Sequence, residues 1–432
     1  MRTSIWMCAL VCLASRASAQ QRTPVGGSDP VDTLRLTRRQ AVAMALETNP
    51  AIDVARQQTA QVKAQRWEGM SIPDPTLSAG YDSLPSLTGF SPTVSKPVSL
   101  SLTIPFPDKL HLAERVGAYN VRASQQQLAL VQQGIAASTS EAYDAVLVAH
   151  LHRRDFVAAD SLAGAFLQRT EARFNAGTVP RLDVIKAQVD LASARNDLIA
   201  NSRDVANAES ALNRLVGRPL GAPLALADSL AVPAPLPALD AVEQTALLRR
   251  PEILSLDAQL RAARTNSRLV REQAFLPDLF VGASRDASVS DPTWYSVGIA
   301  MPIPIFFWQH AKGDFAETQH RELELAATIR DTRAAVGQDV RSAWATADAA
   351  QRQAVFIRDQ LLPSAREGYR AAAAAYAAGG LSALDVIDAR RSLLDAEGQY
   401  ADALAAANSA RSDLERAAGV PLTSIPTGAP RE

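Results

Sequence analysis

Hydrophobic residues recur along this chain with two periods, and each period predicts a different kind of element. In two regions apolar residues alternate with small or polar ones, which is typical of β-strands with two unlike faces. The clearest run is Val98-Ser-Leu-Ser-Leu-Thr-Ile104. We therefore predict two hairpins with four strands in all, at 76–81, 98–104, 279–284 and 295–301.

The two faces of these strands differ in polarity. A half-buried soluble sheet would show the same alternation. These hairpins, however, have long polar tips at 82–97 and 285–292, and no neighbouring segment is available to cover their apolar face. The pattern favours membrane strands that turn apolar residues to lipid and polar ones to a lumen. The smallest closed barrel has about eight strands, so four strands predict an oligomer.

Outside the hairpins the hydrophobic period becomes helical. Two patterns run almost without a break from about 113 to 175 and from about 316 to 378. At ~1.5 Å per residue, ~60 residues reach about 90 Å. The helix after each pattern has an apolar or alanine position every seventh residue, which indicates a coiled-coil seam, with an ordinary helical bundle as the alternative. The seam positions are Leu191, Leu198, Val205 and Leu212, then Leu393, Tyr400, Ala407 and Leu414.

Capping sequences predict where each half of the chain begins its helices. Thr37 can cap a helix to which Gln40 reaches back, and Asp240 and Glu243 have the same spacing. Proline cannot continue a helix but suits its first position. Each first helix is accordingly expected to stop and restart at a proline, Pro50 or Pro251.

One segment occurs twice. Gly177-Thr-Val-Pro-Arg-Leu-Asp-Val-Ile185 is followed 202 residues later by Gly379-Gly-Leu-Ser-Ala-Leu-Asp-Val-Ile387. Such self-similarity predicts one fold built from two similar halves. The predicted divisions are a signal peptide at 1–19, an extension at 20–35, a first repeat at 36–220, a Pro/Ala-rich linker at 221–238, a second repeat at 239–423 and a tail at 424–432.

The N-terminal sequence predicts export. An apolar run at 5–14 follows one arginine and precedes Ala17-Ser-Ala19, a small-residue cleavage site. Both cysteines, Cys8 and Cys12, lie in this signal, so the mature chain is expected to contain no disulfide. Lipidation at Cys12 is disfavoured because Val11 precedes it, where a small residue is expected.

Charge and candidate chemistry exclude several classes of function. The formal net charge is −1, which gives no reason to expect nucleic acid. No later segment approaches the ~18 uncharged apolar residues of a membrane helix, so entry into a membrane would need strands. The histidines are scattered, and a helix would point His150 and His152 in different directions. We expect no enzyme, no cofactor and no metal site.

The two halves of the chain share one plan, and this plan resembles the TolC-type outer-membrane efflux channels. Each half contains, in order, a helix, two strands, a long helix, the motif Gly-x-x-x-x-Leu-Asp-Val, a further helix and the motif Gly-x-Pro-Leu. The resemblance covers essentially the whole mature chain. Pro105-Phe-Pro-Asp-Lys109 is similar to the PFPGK segment of the heavy-metal cation branch, although Asp108 stands where glycine is usual. The resemblance implies a mainly α homotrimer. Its three sets of four strands would close a twelve-stranded barrel in outer-membrane lipid, continued by an α-helical barrel through the periplasm.

The resemblance also assigns roles near the two glycines, Gly177 and Gly379, which would be turns at the periplasmic tip. Asp385 and Asp388 match two aspartates that ring the periplasmic constriction of the family, and Asp183 is the first-half counterpart of Asp385.

Tyr376 matches a tyrosine of the closed-state clamp, whereas the clamp arginine of the family is Leu381 here. A structural role for the aspartates remains an alternative. Ser382 and Asp385 have the spacing of a capping box, and acids in a first turn favour the helix dipole.

Two classes of function follow. The first is a passive exit duct that receives substrates, with metal cations or drugs as candidates, from an inner-membrane pump and a periplasmic adaptor. A duct of type I protein secretion is a variant of this class. The second is a periplasmic coiled-coil scaffold without a pore. Strand amphipathicity favours the duct.

Overall fold

The computed structural model describes residues 34–80, 96–287 and 293–425. The predicted signal peptide lies outside these residues, as do most of the predicted hairpin tips. The elements of the first half are β1 (Leu34–Leu36), α1 (Arg38–Thr48), α2 (Pro50–Glu68), β2 (Thr76–Ala79), β3 (Val98–Ile104), α3 (Pro107–Asn175) and α4 (Arg181–Leu215).

A similar order of elements follows in the second half. These elements are β4 (Leu224–Leu226), α5 (Leu239–Arg249), α6 (Pro251–Phe275), β5 (Leu279–Asp286), β6 (Trp294–Ala300), α7 (Phe307–Phe356), a π-helical segment (Ile357–Leu361), α8 (Leu362–Ala377) and α9 (Ala383–Ala418). The domain boundaries given above stay a prediction.

The helix starts confirm one capping box and correct the other. The Thr37 hydroxyl accepts from the Gln40 amide at 3.3 Å, and the Gln40 side chain accepts from the Thr37 amide at 2.9 Å. In the second half the predicted box is wrong. Helix α5 is capped by Ala238, which leaves Asp240 inside the first turn, and the Glu243 carboxylate accepts from Arg341 instead. Both predicted helix restarts are confirmed, at Pro50 and Pro251.

The four predicted strands form one antiparallel sheet in the order β2-β3-β5-β6. Leu100 lies opposite Leu77 on one side and Ala283 on the other, so apolar residues share a face across the sheet. Hydroxyls share the opposite face, where Ser78 and Ser99 hydrogen-bond at 2.7 Å. Strand β5 extends through residues 285 and 286, which the sequence pattern places in a hairpin tip.

The long helices confirm the predicted lengths but not every boundary. Helix α3 has 69 residues and begins at Pro107 rather than near 113, because proline with its fixed φ suits the first helical position. The second long helix runs from Phe307 to Ala377 but is not α-helical throughout. Pro363 lacks the N–H that would bond to the carbonyl four residues earlier, and the π-helical turn at Ile357–Leu361 lies just before it.

Helix α4 packs along α3, and α9 packs against α7, α8 and α3. The predicted seams lie at these contacts: Val205 and Leu212 are buried in α4, and Leu393 and Leu414 in α9. Alanines with little side-chain volume fill the remaining seam positions of α9, which permits close approach of the helices: Ala396, Ala403, Ala407, Ala410 and Ala417.

A parallel strand pair joins the two halves and was missed by the sequence pattern. Strand β1 pairs with β4, so the end of the predicted extension meets the predicted linker beside the middle of α3. The hydroxyl of the fully buried Tyr143 donates to the Leu36 carbonyl at 2.9 Å. Three-residue strands are too short to display a period.

None of the helices in the described residues is long and apolar enough to cross a membrane.

Candidate gate at the helix tips

Two tight turns join α3 to α4 and α8 to α9, about 100 Å of α3 away from the sheet. Gly177 and Gly379 have φ of 74° and 82°, the left-handed region that a helix C-terminus uses and that favours glycine. In each turn the following amide bonds back to the carbonyl five residues earlier: Thr178 to Arg173 at 3.0 Å and Gly380 to Ala375 at 2.9 Å. Both glycine turns are therefore as predicted, and they end the helices as Schellman motifs.

The two helical hairpins, α3–α4 and α8–α9, pack together at these turns. A buried apolar cluster, here called the tip core, contains residues from all four helices: Phe166, Ala187, Tyr376, Ala383, Val386 and Ile387. The rings of Phe166 and Tyr376 lie 5.3 Å apart between centroids. Any displacement of one hairpin tip relative to the other must disturb this cluster.

Tyr376 is only 6% exposed, and an arginine from the other hairpin covers it. The Arg173 guanidinium carbon lies 4.6 Å from the centre of the Tyr376 ring, a cation–π distance. Nη1 of Arg173 also donates to the Tyr376 carbonyl at 2.6 Å. The Tyr376 hydroxyl lies 3.4 Å from the hydroxyl of buried Thr170. Tyr376 thus contacts the first hairpin through its ring, its hydroxyl and its backbone.

Asp385 is exposed and forms the capping box at the start of α9. One of its carboxylate oxygens accepts from the Ser382 hydroxyl at 2.7 Å and from the Ser382 amide at 2.9 Å. These hydrogen bonds hold the pKa of Asp385 below its usual range, and the positive charge of Lys186 on α4 adds to the effect. The predicted structural role of Asp385 is therefore present. It keeps this carboxylate ionised and does not exclude a second role.

The other predicted site residues surround this cap. Asp388 is exposed one turn further along α9, and Asp183 is half-buried in the first turn of α4. Leu381, which the resemblance matches to a clamp arginine, is 41% exposed in the turn. Sequence reasoning missed Arg173, whose only signal was a basic residue in the last turn of α3.

A second polar link between the hairpins lies ~15–20 Å above the turns. Arg390 of α9 forms an ion pair with Asp190 of α4 and also donates to the Ala159 carbonyl of α3 at 3.3 Å. The side chains of this pair are 7% and 2% exposed. The pair therefore links the two hairpins within a nearly dry environment.

The histidines separate as expected. His150 pairs with Glu209 of α4 at 3.2 Å, whereas His152 pairs with Asp402 of α9 at 3.0 Å. Within residues 34–80, 96–287 and 293–425, no group of three or more His, Cys, Asp or Glu could hold a metal ion.

Long paired helices continuing into a sheet with one apolar and one hydroxyl face define a class of protein, the channel-forming transport proteins of the outer membrane. The sequence profile of the family described as "Outer membrane efflux protein" matches residues 41–218 and 242–420, and the chain belongs to this family. It is accordingly a transport protein and not an enzyme, with a large periplasmic helical part.

Individual relatives agree with this assignment. The chain is 24% identical over 388 residues to the cobalt-zinc-cadmium resistance protein CzcC of Cupriavidus metallidurans, covering 89% of this chain and 90% of that one. It is 27% identical over 371 residues to the pyoverdine export outer membrane protein OpmQ of Pseudomonas aeruginosa, covering 80% and 76%. The structure of the outer membrane protein VceC from Vibrio cholerae superposes with a TM-score of 0.72 at 18% identity, covering 89% and 96%.

Proposed function

We propose that three copies of this chain form an exit duct that a periplasmic adaptor connects to an inner-membrane pump. The observation that carries the proposal is the four-stranded sheet. One face is apolar and exposed, including Leu77, Leu100, Val297 and Ile299, whose side chains are between 51% and 80% exposed. Lipid would cover that face, and the serine face would line the aqueous lumen.

The edges of the sheet support an oligomer. In the described part of the chain, β2 and β6 are the two outer strands, and each pairs on one side only. Unpaired strand edges are unstable in a bilayer, where every backbone group needs a partner. Pairing β6 of one copy with β2 of the next satisfies both edges and closes a ring when three copies contribute.

The helical part has an unpaired apolar stripe that fits the same assembly. On α4, large apolar residues at coiled-coil spacing are exposed: Leu182, Ile185, Val189 and Ile199. Phe356 of α7 is 54% exposed. It lies 23 residues before Gly379 and Ile199 lies 22 residues after Gly177, so both are about 35 Å above the turns. A neighbouring copy can therefore cover the stripe at matching height.

Three copies would also bring six carboxylates, from Asp385 and Asp388, to one narrow opening at the tips. Like charges in a narrow low-dielectric passage focus a negative potential, which attracts cations. The capping hydrogen bonds of Asp385 lower its pKa and would keep its three carboxylates charged at mildly acidic pH. The name of the relative CzcC makes metal cations the first cargo class to examine, with drugs, or a compound such as the pyoverdine named for OpmQ, as the others.

Planar-bilayer recordings combined with native mass measurement in detergent test this function. The wild-type chain should run as a trimer and conduct with a preference for cations, and millimolar divalent cations should block it. A monomer or dimer as the sole species, or a trimer that never conducts, would refute the duct.

The gate is tested by Asp385→Asn with Asp388→Asn, because asparagine caps a helix about as well as aspartate. Cation preference and divalent block should both fall while the trimer persists. Asp204→Asn is the matched control, since it removes one exposed carboxylate of α4 about 40 Å above the turns. Unchanged selectivity in the double variant would leave the aspartates as helix caps alone.

A further inference from the structure

We propose that a row of arginines on the outer side of α3 and α6 binds anionic phospholipid headgroups at the periplasmic surface of the membrane that holds the sheet. The row, here called the arginine face, consists of six residues: Arg115, Arg122, Arg261, Arg264, Arg268 and Arg271. The inference rests on the proposed duct, because the duct places the sheet in the membrane and gives the helices an outer side.

The arginines of the two helices lie on one side of the molecule. On α6 the four arginines are exposed and follow one another at spacings of three, four and three residues, so they share one helix face. On α3 the guanidinium carbon of Arg122 lies 5.5 Å from the centre of the Tyr119 ring. A hydrogen bond from Arg115 lowers the pKa of the Tyr119 hydroxyl, and the nearby charges of Arg122 and Arg261 add to this effect. Arg261 of α6 therefore lies close to the arginines of α3.

This side faces away from the lumen. Tyr143 of α3 donates to β1, and β1, β4 and α1 form a second layer on one side of the long helices. A duct stays open only if this layer lies outside it. Arg122 and Arg115 precede Tyr143 by 21 and 28 residues, which are three and four heptads, and residues seven apart face the same way along a coiled-coil helix. The arginine face therefore points outward.

Neither a neighbouring copy nor the chain's own acids cover this face. Helices α3 and α6 continue the inner strands β3 and β5, so both lie in the centre of one copy, away from the edge strands. Within the described ranges none of the six arginines forms an ion pair, whereas Arg250, just before α6, pairs with Asp339 of α7. Glu272, beside Arg271 in the sequence, lies next to the carboxyl group of Asp108, and burial together with that carboxyl group raises the pKa of Glu272.

The depth of three arginines matches a headgroup layer. Exposed aromatic residues mark the interfaces of membrane barrels, and Phe106 and Phe275 are 45% and 49% exposed where the helices meet the sheet. Arg271 and Arg268 lie about 6 and 10 Å further from the sheet than Phe275. Arg115 lies about 13 Å further than Phe106. Headgroups extend about 5–8 Å beyond the hydrocarbon core, and an arginine side chain can extend toward them. These three arginines can therefore contact lipid phosphates.

Guanidinium groups suit this ligand because their paired N–H donors match phosphate oxygens. Each arginine near an anionic membrane surface should strengthen binding about fivefold, which corresponds to ~1 kcal/mol. The other three, Arg122, Arg261 and Arg264, lie about 16–24 Å from the aromatic residues. Salt screens charges over about 8–10 Å, so these three should contribute less.

Native mass spectrometry of the detergent-solubilised protein tests this inference. The protein is equilibrated with equal amounts of phosphatidylglycerol, which is anionic, and phosphatidylcholine, which is zwitterionic, and the retained lipids are counted. The wild type should retain phosphatidylglycerol preferentially, and rising salt should weaken this preference. In Arg268→Gln with Arg271→Gln the affinity for phosphatidylglycerol relative to phosphatidylcholine should fall about 25-fold, as two factors of five.

Two further double variants serve as controls. Arg153→Gln with Arg391→Gln removes two exposed arginines of α3 and α9, and Arg153 lies about 70 Å from the sheet. This variant should behave like the wild type; an equal loss would assign the effect to net charge and overturn the proposal. Arg122→Gln with Arg261→Gln should weaken the preference by less than the upper pair does. A larger loss there would place the ligand away from the membrane, as for a periplasmic anionic polymer, and would also overturn it.

Two outcomes separate lipid from free anion and this inference from the duct. Inorganic phosphate, exchanged for chloride at constant ionic strength, should leave the lipid preference largely unchanged; complete displacement of the lipid would show a general anion site instead. The same spectra report the oligomer. A wild type that is not a trimer, or a trimer that never conducts, refutes the duct. A conducting trimer that retains the two lipids equally refutes the lipid site alone.

Discussion

The ion pair between Asp190 and Arg390 provides the strongest test of how the two hairpins are held together. Asp190→Ala would leave the guanidinium of Arg390 buried with the Ala159 carbonyl as its one protein acceptor among the described residues. Loss of one partner from a buried pair costs about 3–5 kcal/mol, because the remaining charge is neither hydrated nor compensated.

The structure supplies a matched comparison for this magnitude. Asp160 and Arg195 also pair between α3 and α4, at 3.3 Å, but their side chains are 33% and 66% exposed. Water screens that pair, so its removal should cost at most about 1 kcal/mol. If ~400 residues unfold together with ~2.1 cal/mol/K each, 3–5 kcal/mol corresponds to a fall in Tm of roughly 4–6 °C, against roughly 1 °C for Arg195→Ala.

Thermal unfolding of the detergent-solubilised protein, followed by circular dichroism, measures both shifts at one scan rate. A double variant, Asp190→Leu with Arg390→Met, makes the test sharper. In the described structure, Asp190 Oδ2 and Arg390 Nε are buried without a hydrogen-bond partner, so the pair is incompletely satisfied. An apolar pair of similar volume should therefore recover most of the lost stability. If Asp190→Ala shifts Tm no further than Arg195→Ala does, the burial argument is wrong.

Two further predictions concern the sheet and the middle of the molecule. Leu102→Arg should destabilise the membrane-inserted sheet by roughly 2–4 kcal/mol near the bilayer midplane and reduce the amount of protein assembled in outer membranes. Ser101→Arg, on the opposite face, should be tolerated. Equal losses of assembled protein in the two variants would show that the faces are misassigned. Burial raises the pKa of Asp144 from 3.8 to about 6 although Arg38 pairs with it, so the folded chain binds more protons than the unfolded chain between these values. The contribution of Asp144 to stability should therefore rise as pH falls below 7, by about 1.4 kcal/mol at pH 5 and by about 3 kcal/mol once the pH is well below 3.8. The Tm difference between wild type and Asp144→Asn measures this from pH 5 to 8, and a pH-independent difference would contradict it.

Most of the fold could be predicted because its determinants are local in sequence. Alternation of side chains reports a strand and its two faces within a few residues, as in 98–104. Apolar residues at every seventh position indicate a helix that packs against another helix. A glycine at the end of a helical pattern indicates a turn, as at Gly177 and Gly379. Each of these signals is a property of one segment and needs no knowledge of its partner.

The features that escaped prediction depend on partners far away in the sequence. The spacing of Asp240 and Glu243 is correct for a capping box, but Arg341, 98 residues later, binds the Glu243 carboxylate. Arg173 and Tyr376 are 203 residues apart, and their contact exists only because the two hairpins pack side by side. A periodic pattern identifies which face of a helix is buried, but it does not identify the residue that the face will meet.

The links between the two halves are graded along the hairpins, which suggests where movement begins. Beside the middle of α3, β1 pairs with β4, and the Tyr143 hydroxyl of α3 donates a hydrogen bond to the Leu36 carbonyl of β1. Nearer the tips, Asp190 and Arg390 form a buried pair whose disruption is costly. At the tips one polar link is made by Arg173, which is half-buried and whose loss water can compensate in part. Since these polar links become more exposed toward the turns, we expect separation of the hairpins to begin at the tips, where it must also disturb the tip core, while the helices above the buried pair keep their packing.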